Sequence, residues 1–192
     1  MPMKEVLVIV AHPDDETIWM GGTLLKNKNN WKTTIISLCR RDDEDRAPKF
    51  REICKEYGAE SHISDLDDET MENLNSEEVE GRISKFTKNN EYDYIFTHGK
   101  NGEYGHKRHL DVHKAVNKMI KEKKLIAKKI FYFSYNKKGE FAYPNKESDK
   151  LIYLNNSTHT EKKRLIQEVY GFPKGGFEEV CCRKTEAFKI KK

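Results

Sequence analysis

The segment Glu5 to Ala11 contains an unbroken apolar run, Val6-Leu7-Val8-Ile9-Val10, that leads directly into His12-Pro13-Asp14-Asp15-Glu16. A short apolar run without polar alternation reads as a strand buried on both faces, which needs helices above and below it. Strand and helix patterns then alternate. From about Asp15 to Asn27, Ile18, Leu24 and Leu25 supply one apolar face, and Gly21 and Gly22 permit close backbone approach. Thr33 to Leu38 reads as a second strand, and between Glu44 and Gly58 the residues Phe50, Ile53, Cys54 and Tyr57 have helical spacing with Gly58 as a stop. A short strand is expected near Ser61 to Ile63. Ser76 is expected to cap a helix carrying Val79, Ile83 and Phe86, ahead of a strand at Asp93 to Thr97. A helix with Val112, Val116, Met119 and Ile120 and a strand at Ile130 to Phe133 close the alternating part. Thr158 with Glu161 predicts a capping box for a helix through Val169. The class predicted is α/β, a mostly parallel sheet with helices on both faces, in a single domain over residues 1–192.

Composition narrows the partners. The net charge of +4 comes from 36 basic and 32 acidic residues interleaved through the chain, which argues against a nucleic-acid surface. The locally basic stretches Lys121 to Lys129 and Lys189 to Lys192 read as a solvated helix end and a loose terminus. Cys39, Cys54, Cys181 and Cys182 lack metal-finger spacing and read as reduced thiols. No apolar stretch approaches the roughly 20 residues of a bilayer span, and the first apolar run has no basic leader. A cytoplasmic protein is expected.

In an open α/β sheet, ligands bind beyond the carboxyl ends of the strands. After the first strand, an imidazole and three carboxylates fall within five positions, His12 to Glu16, and would repel one another unless a cation neutralised them. The simpler alternative is that Asp14, Asp15 and Glu16 cap the following helix. After the Tyr94 to Thr97 strand come His98 and a Gly-rich loop, then Gly105-His106-Lys107-Arg108-His109, with His113 further on. If a helix starts near His106, then His106, His109 and His113 share a face. His98 and His113 read as ordinary core or surface histidines. Two nitrogens, one carboxylate and an open position form the donor set of a catalytic zinc, and His12, Asp15 and His109 are the expected ligands. Asp14 is then the carboxylate left to take a proton from water, and His106, as imidazolium, the group that stabilises an oxyanion or protonates a leaving nitrogen. The chemistry that fits is metal-assisted hydrolysis of an amide.

Ala11 to Glu16, Gly21-Gly22-Thr23-Leu24 and Gly105 to His109 together resemble the LmbE-like, or PIG-L, family of zinc-dependent deacetylases. The resemblance implies a Rossmann-like fold and removal of the acetyl group from an N-acetylglucosaminyl compound. It matches His12, Asp15 and His109 to zinc ligands, Asp14 to the general base and His106 to the residue that stabilises the intermediate. It places Arg46 on substrate hydroxyls and Tyr104 as a mobile tyrosine beside the site, and it extends to Thr185-Glu186-Ala187-Phe188. The implied cofactor is Zn2+, with another divalent ion such as Fe2+ as the alternative, and the implied partner is a small amino-sugar substrate. A homo-oligomer is a further expectation. The chain departs from the family by carrying Lys107 and Arg108 where Pro and Asp usually stand, an Asp there helping to orient and charge the neighbouring histidine, and Lys49 where an acid is common. Alternative functions are another metal-dependent amidase acting on a sugar conjugate, or a non-catalytic metal or carbohydrate-binding protein. Dinucleotide binding is excluded, since carboxylates replace the Gly-rich phosphate loop.

Overall fold

Alternate residues of the first strand, β1 (Lys4–Val10), enter opposite cores, which explains why its sequence has no polar face. Val6, Val8 and Val10 pack into one buried cluster with Trp19, Phe50 and Phe188, while Leu7 and Ile9 enter the other with Val79, Val112 and Val116. The structure is a computed structural model that describes residues 2–87 and 89–191. Met1, Lys88 and Lys192, which the expected domain and terminus include, lie outside the described residues.

The alternating elements are α1 (Asp15–Asn27), β2 (Trp31–Cys39), α2 (Arg46–Glu56), β3 (Glu60–Leu66), α3 (Ser76–Ser84), β4 (Glu91–Thr97), the turn α4 (Gly102–Gly105), α5 (Lys107–Lys121) and β5 (Ile126–Phe133). They are followed by β6 (Tyr135–Lys138), β7 (Phe141–Pro144), β8 (Lys150–Tyr153), α6 (Asn156–Arg164), α7 (Phe177–Cys181) and β9 (Thr185–Lys191). The main sheet has seven strands in the order β3-β2-β1-β4-β5-β9-β8. β1 to β5 are parallel, whereas β9 runs antiparallel to both β5 and β8. The strand order reverses between β1 and β4, so the loops leaving those two strands open a crevice at their carboxyl ends.

The second half of the chain departs most from expectation. The described part of the basic segment read as a loose terminus, Lys189 to Lys191, is the end of β9, where Lys189 reaches Asp149 and the Glu147 carbonyl just after the buried Ala187 and Phe188. β6 and β7, for which no strands were expected, form a hairpin that turns at Gly139 with φ of 63°. Asn75 rather than Ser76 caps α3, its side chain accepting from the Glu77 N–H. Asn155 likewise caps α6 by accepting from the Thr158 N–H, so the expected Thr158–Glu161 box is absent and Glu161 pairs with Arg164 instead. In both cases an asparagine earlier in the chain, one residue before Ser76 and three before Thr158, satisfies a free amide. Leu165–Val169 then continues as a π-helical turn.

Around Lys121–Lys129, Lys124 pairs with Glu80 and Lys128 with Asp93 rather than both facing bulk solvent alone. All four cysteines are free and buried. Among the described residues, no helix is long and apolar enough to cross a membrane.

Gly22 is required by packing. A Cβ at this position would lie 2.3 Å from a Leu154 side-chain carbon. The Gly22 and Thr23 amides both donate to the buried carboxylate of Glu186 on β9, which also accepts from the Thr23 hydroxyl and from Lys162 Nζ. Lys162 and Glu186 are both fully buried. The Thr185–Phe188 motif thus anchors the middle of α1 to the sheet.

Candidate metal centre and active site

Between β1 and α1 the backbone turns sharply, with Asp14 at φ 121°. Asp14 occupies the N-cap position of α1 but makes no side-chain cap bond, so simple capping does not account for its carboxylate. Glu16 turns away from the crevice. Its fully buried carboxylate accepts from the Thr17 and Tyr170 hydroxyls and the Asp14 amide, and burial pushes it up to about 7.

Asp15 faces the crevice. Its Oδ2 lies 3.3 Å from His12 Nδ1, its Oδ1 lies 3.3 Å from His109 Nε2, and the two ring nitrogens are themselves 3.3 Å apart. Bonds of about 2.0–2.1 Å to a tetrahedral ion separate neighbouring donors by roughly 3.3–3.4 Å. The three side chains converge closely enough to hold a divalent ion, with the two Asp15 contacts ending on different carboxylate oxygens. His12, His106 and His109 form another converging group, as do Asp15, His98 and His109. His98 is already engaged at both nitrogens, with Nε2 accepting from the Ala11 amide at 2.9 Å and Nδ1 facing Glu103 at 2.7 Å. A further group contains His12, Asp68 and Cys39, but burial pushes the Cys39 thiol far up and keeps it protonated.

Each histidine of the triangle has a carboxylate behind it. Glu103 Oε2 lies 2.6 Å from His109 Nδ1, while Asp68 Oδ1 lies 2.9 Å from His12 Nε2. Such contacts hold the ring and place the lone pair on the inward nitrogen. Glu103 also accepts from the Gly99 amide and has φ of 58°, and Asp68 is held in turn by Arg40. Trp19, one helical turn beyond Asp15, is fully buried and donates its indole N–H to Asp15 Oδ1 at 2.8 Å. The sequence alone assigned no role here to Glu103, Asp68 or Trp19 and left His98 as an ordinary core or surface histidine. The i,i+4 spacing of Asp15 and Trp19 was the available signal for Trp19. Nothing local pointed to Asp68, which comes from the segment after β3.

His106 is the N-cap residue of α5, and its ring lies 4.7 Å from that of His12 and 4.8 Å from that of His109. Burial and the two neighbouring imidazoles push its pKa down to about 4. These surroundings favour the neutral ring. His106 Nδ1 is buried without a hydrogen-bond partner among the described residues. His113 does not join the cluster. It hydrogen-bonds the His98 carbonyl and Asn117, beside a separate cavity of about 550 Å³.

Asp14 Oδ2 accepts from Arg46 Nη1 at 2.7 Å, and the Arg46 guanidinium lies over the Phe172 ring. Burial and the adjacent Asp15 charge push the Asp14 carboxyl well above its usual range, while Arg46 pulls it down. Tyr104 packs edge-on to Phe177 and His109, with ring centroids at 4.7 and 5.3 Å. These residues surround a cavity of about 210 Å³ whose walls include Asp14, Arg40, Arg46, Tyr104, His106 and Glu178. A polar recess of about 400 Å³ adjoins it through Arg40, Asp43 and Asp68.

A family model described as GlcNAc-PI de-N-acetylase, PIG-L, matches residues 7–120. An uncharacterized protein of Acanthamoeba polyphaga mimivirus is 27% identical over 129 residues, which are 56% of this chain and 54% of that protein. The chain thus spans about half the length of this curated relative. A conserved protein from Thermus thermophilus superimposes with a TM-score of 0.73 at 16% identity, covering 97% of this chain and 94% of that one. An N,N'-diacetylchitobiose deacetylase from Pyrococcus horikoshii gives 0.67 at 17% identity, with 98% and 84% covered. A 4-carboxy-2-hydroxymuconate hydratase from Pseudomonas putida gives 0.64 at 17% identity, with 86% and 78% covered. At such identities these structures share the fold, and the fold serves more than one reaction.

Proposed function

The chain belongs to the PIG-L family, and from that membership we propose that it is a metal-dependent N-deacetylase acting on an N-acetylglucosamine-type amino sugar or its conjugate. The observation that carries the reading is the convergence of His12, Asp15 and His109, with contacts of 3.3 Å that reach one oxygen of Asp15 from each histidine, beside a carboxylate that takes no part in it. His12, Asp15 and His109 would hold the ion, with zinc the proposed metal and ferrous iron the alternative. The ion would supply Lewis-acid polarisation of the amide carbonyl and acidification of a water.

The protein groups divide the remaining work. Asp14 is the general base: its raised pKa suits it to take a proton from the attacking water and return it to the departing amine. Arg46 orients Asp14 through their 2.7 Å contact and presents its remaining N–H groups toward the cavity for substrate hydroxyls. Neutral His106 offers a ring N–H to the developing oxyanion, its low pKa keeping it from entering as a cation. Tyr104 and Phe177 wall one side of a space sized for a single sugar ring.

The test is acetate release by metal-stripped and zinc-reloaded protein. The panel runs from N-acetylglucosamine through its oligosaccharides to inositol-, malate- and nucleotide-linked conjugates. Zinc-restored acetate release on one class is the expected result. A protein that binds zinc and releases no acetate from any of them would overturn the reading.

A further inference from the structure

Arg108, which stands where the resemblance noted above implies an aspartate, is fully buried and bonded to Asp67, Glu72 and Asp111. It leaves the first turn of α5 and grips the segment that links β3 to α3. Its Nη2 lies 2.7 Å from Asp67 Oδ2, its Nε donates to the Asp67 carbonyl, and its Nη1 donates to the Glu72 carbonyl at 2.9 Å. Lys107 adds a third anchor by donating to the carbonyl of Met71. The segment between these anchors includes Asp68, whose carboxylate faces His12 Nε2 at 2.9 Å. The residue after Arg108 is His109, which enters the donor triangle from the opposite wall.

On the metal-site reading above, we propose that Arg108, supported by Lys107, is a positioning residue that fixes Asp68 and thereby the orientation and tautomer of His12. One turn of α5 then controls both imidazoles of the triangle, one through His109 directly and the other through the 67–72 segment. The arrangement also explains the departure at residues 107 and 108. An aspartate at 108 would offer no hydrogen-bond donor to the Asp67 and Glu72 carbonyls, and its charge would repel Asp67. The His106 contact an aspartate would make is absent, and a hold on the other side of the centre is present instead.

The test compares Arg108→Met, Asp68→Asn and their double variant with the intact protein, reading zinc affinity by chelator competition and the His12 ring tautomer by nitrogen-15 NMR of the metal-free protein. The expected result is that each single variant weakens zinc about 10–100-fold and depopulates the His12 tautomer protonated at Nε2. The double variant should bind no more weakly than Asp68→Asn alone. Arg108→Lys should recover part of the loss, because one donor can still reach Asp67. Asp111→Asn, which removes Arg108's partner on its own helix and leaves the 67–72 contacts in place, should bind normally. If Arg108→Met does not fold, Arg108→Lys and Lys107→Met carry the same comparison with smaller losses. Retained affinity and an unchanged His12 ring in the Arg108 variants, or losses that multiply in the double variant, would overturn the proposal. Failure of the intact protein to bind zinc at all would instead overturn the metal-site reading.

Discussion

Glu103 Oε2 lies 2.6 Å from His109 Nδ1 and also 2.7 Å from His98 Nδ1, so one buried carboxylate oxygen holds two stacked imidazoles. Glu103→Gln halves the acceptors and adds an N–H donor that cannot satisfy both rings. The expected outcome is zinc binding weakened about 10–100-fold with the fold retained, measured by chelator competition beside circular dichroism. Unchanged affinity would detach Glu103 from the centre.

Asp14→Asn keeps the shape of the side chain and removes its basicity. Deacetylation should fall about 10²–10⁴-fold while bound zinc per chain is unchanged. Activity within a few fold of the parent would reassign the base.

Arg46 pulls the Asp14 pKa down, so removing it lets that pKa rise. In Arg46→Met the acidic limb of the kcat/KM profile should move to higher pH, and KM should rise from loss of a hydroxyl contact. A limb that stays in place would show that another group governs it.

Lys162 and Glu186 form a fully buried pair at 2.8 Å. Lys162→Met leaves the Glu186 charge without its cation and is expected to cost about 3–5 kcal/mol in urea unfolding. A loss below 1 kcal/mol, on the order of an exposed pair, would contradict this account.

Glu80 is held at about 2, against 4.5 ordinarily, chiefly by hydrogen bonds from Lys118, Lys124 and Ser76 that outweigh its burial. A depressed carboxyl contributes stability that is present above pH 4.5 and fades as pH falls toward 2. Both lysines are about a third exposed or more, so Glu80→Gln should cost about 1 kcal/mol at pH 7. That difference should narrow below pH 4.5 and close only below about pH 2, and a gap that stays constant across this range would refute the ion-pair origin.

The alternating half of the fold was legible because β1, β2 and β4 carry dense apolar runs whose neighbours are helical in period. β6 and β8 were not, because short strands at a sheet edge expose most side chains and read as polar loop, and the Lys-rich end of β9 was masked by its charge. His12, Asp14, Asp15, His106 and His109 could be found because strand ends collect them at two points of the sequence. The structure brings them together. Glu103, Asp68 and Trp19 act through tertiary contacts to those residues. Asp68 is 56 positions from His12, a separation that no periodicity reports. The influence of burial among other imidazoles on His106 is likewise invisible in a motif.

The hold of Glu186 on α1 imposes an order in time. Gly22 and its acceptor are 164 residues apart, among the longest-range contacts in the fold. Contacts of such separation close late, because the intervening chain must be made and ordered first. During synthesis β1, α1 and β2 leave the ribosome early, yet the amides of Gly22 and Thr23 wait for β9. Asp15 and Trp19 lie on the same helix, so the centre gains its final rigidity only when nearly the whole sheet has assembled. Until then a nascent chain would carry the His12–Glu16 cluster on an unanchored helix.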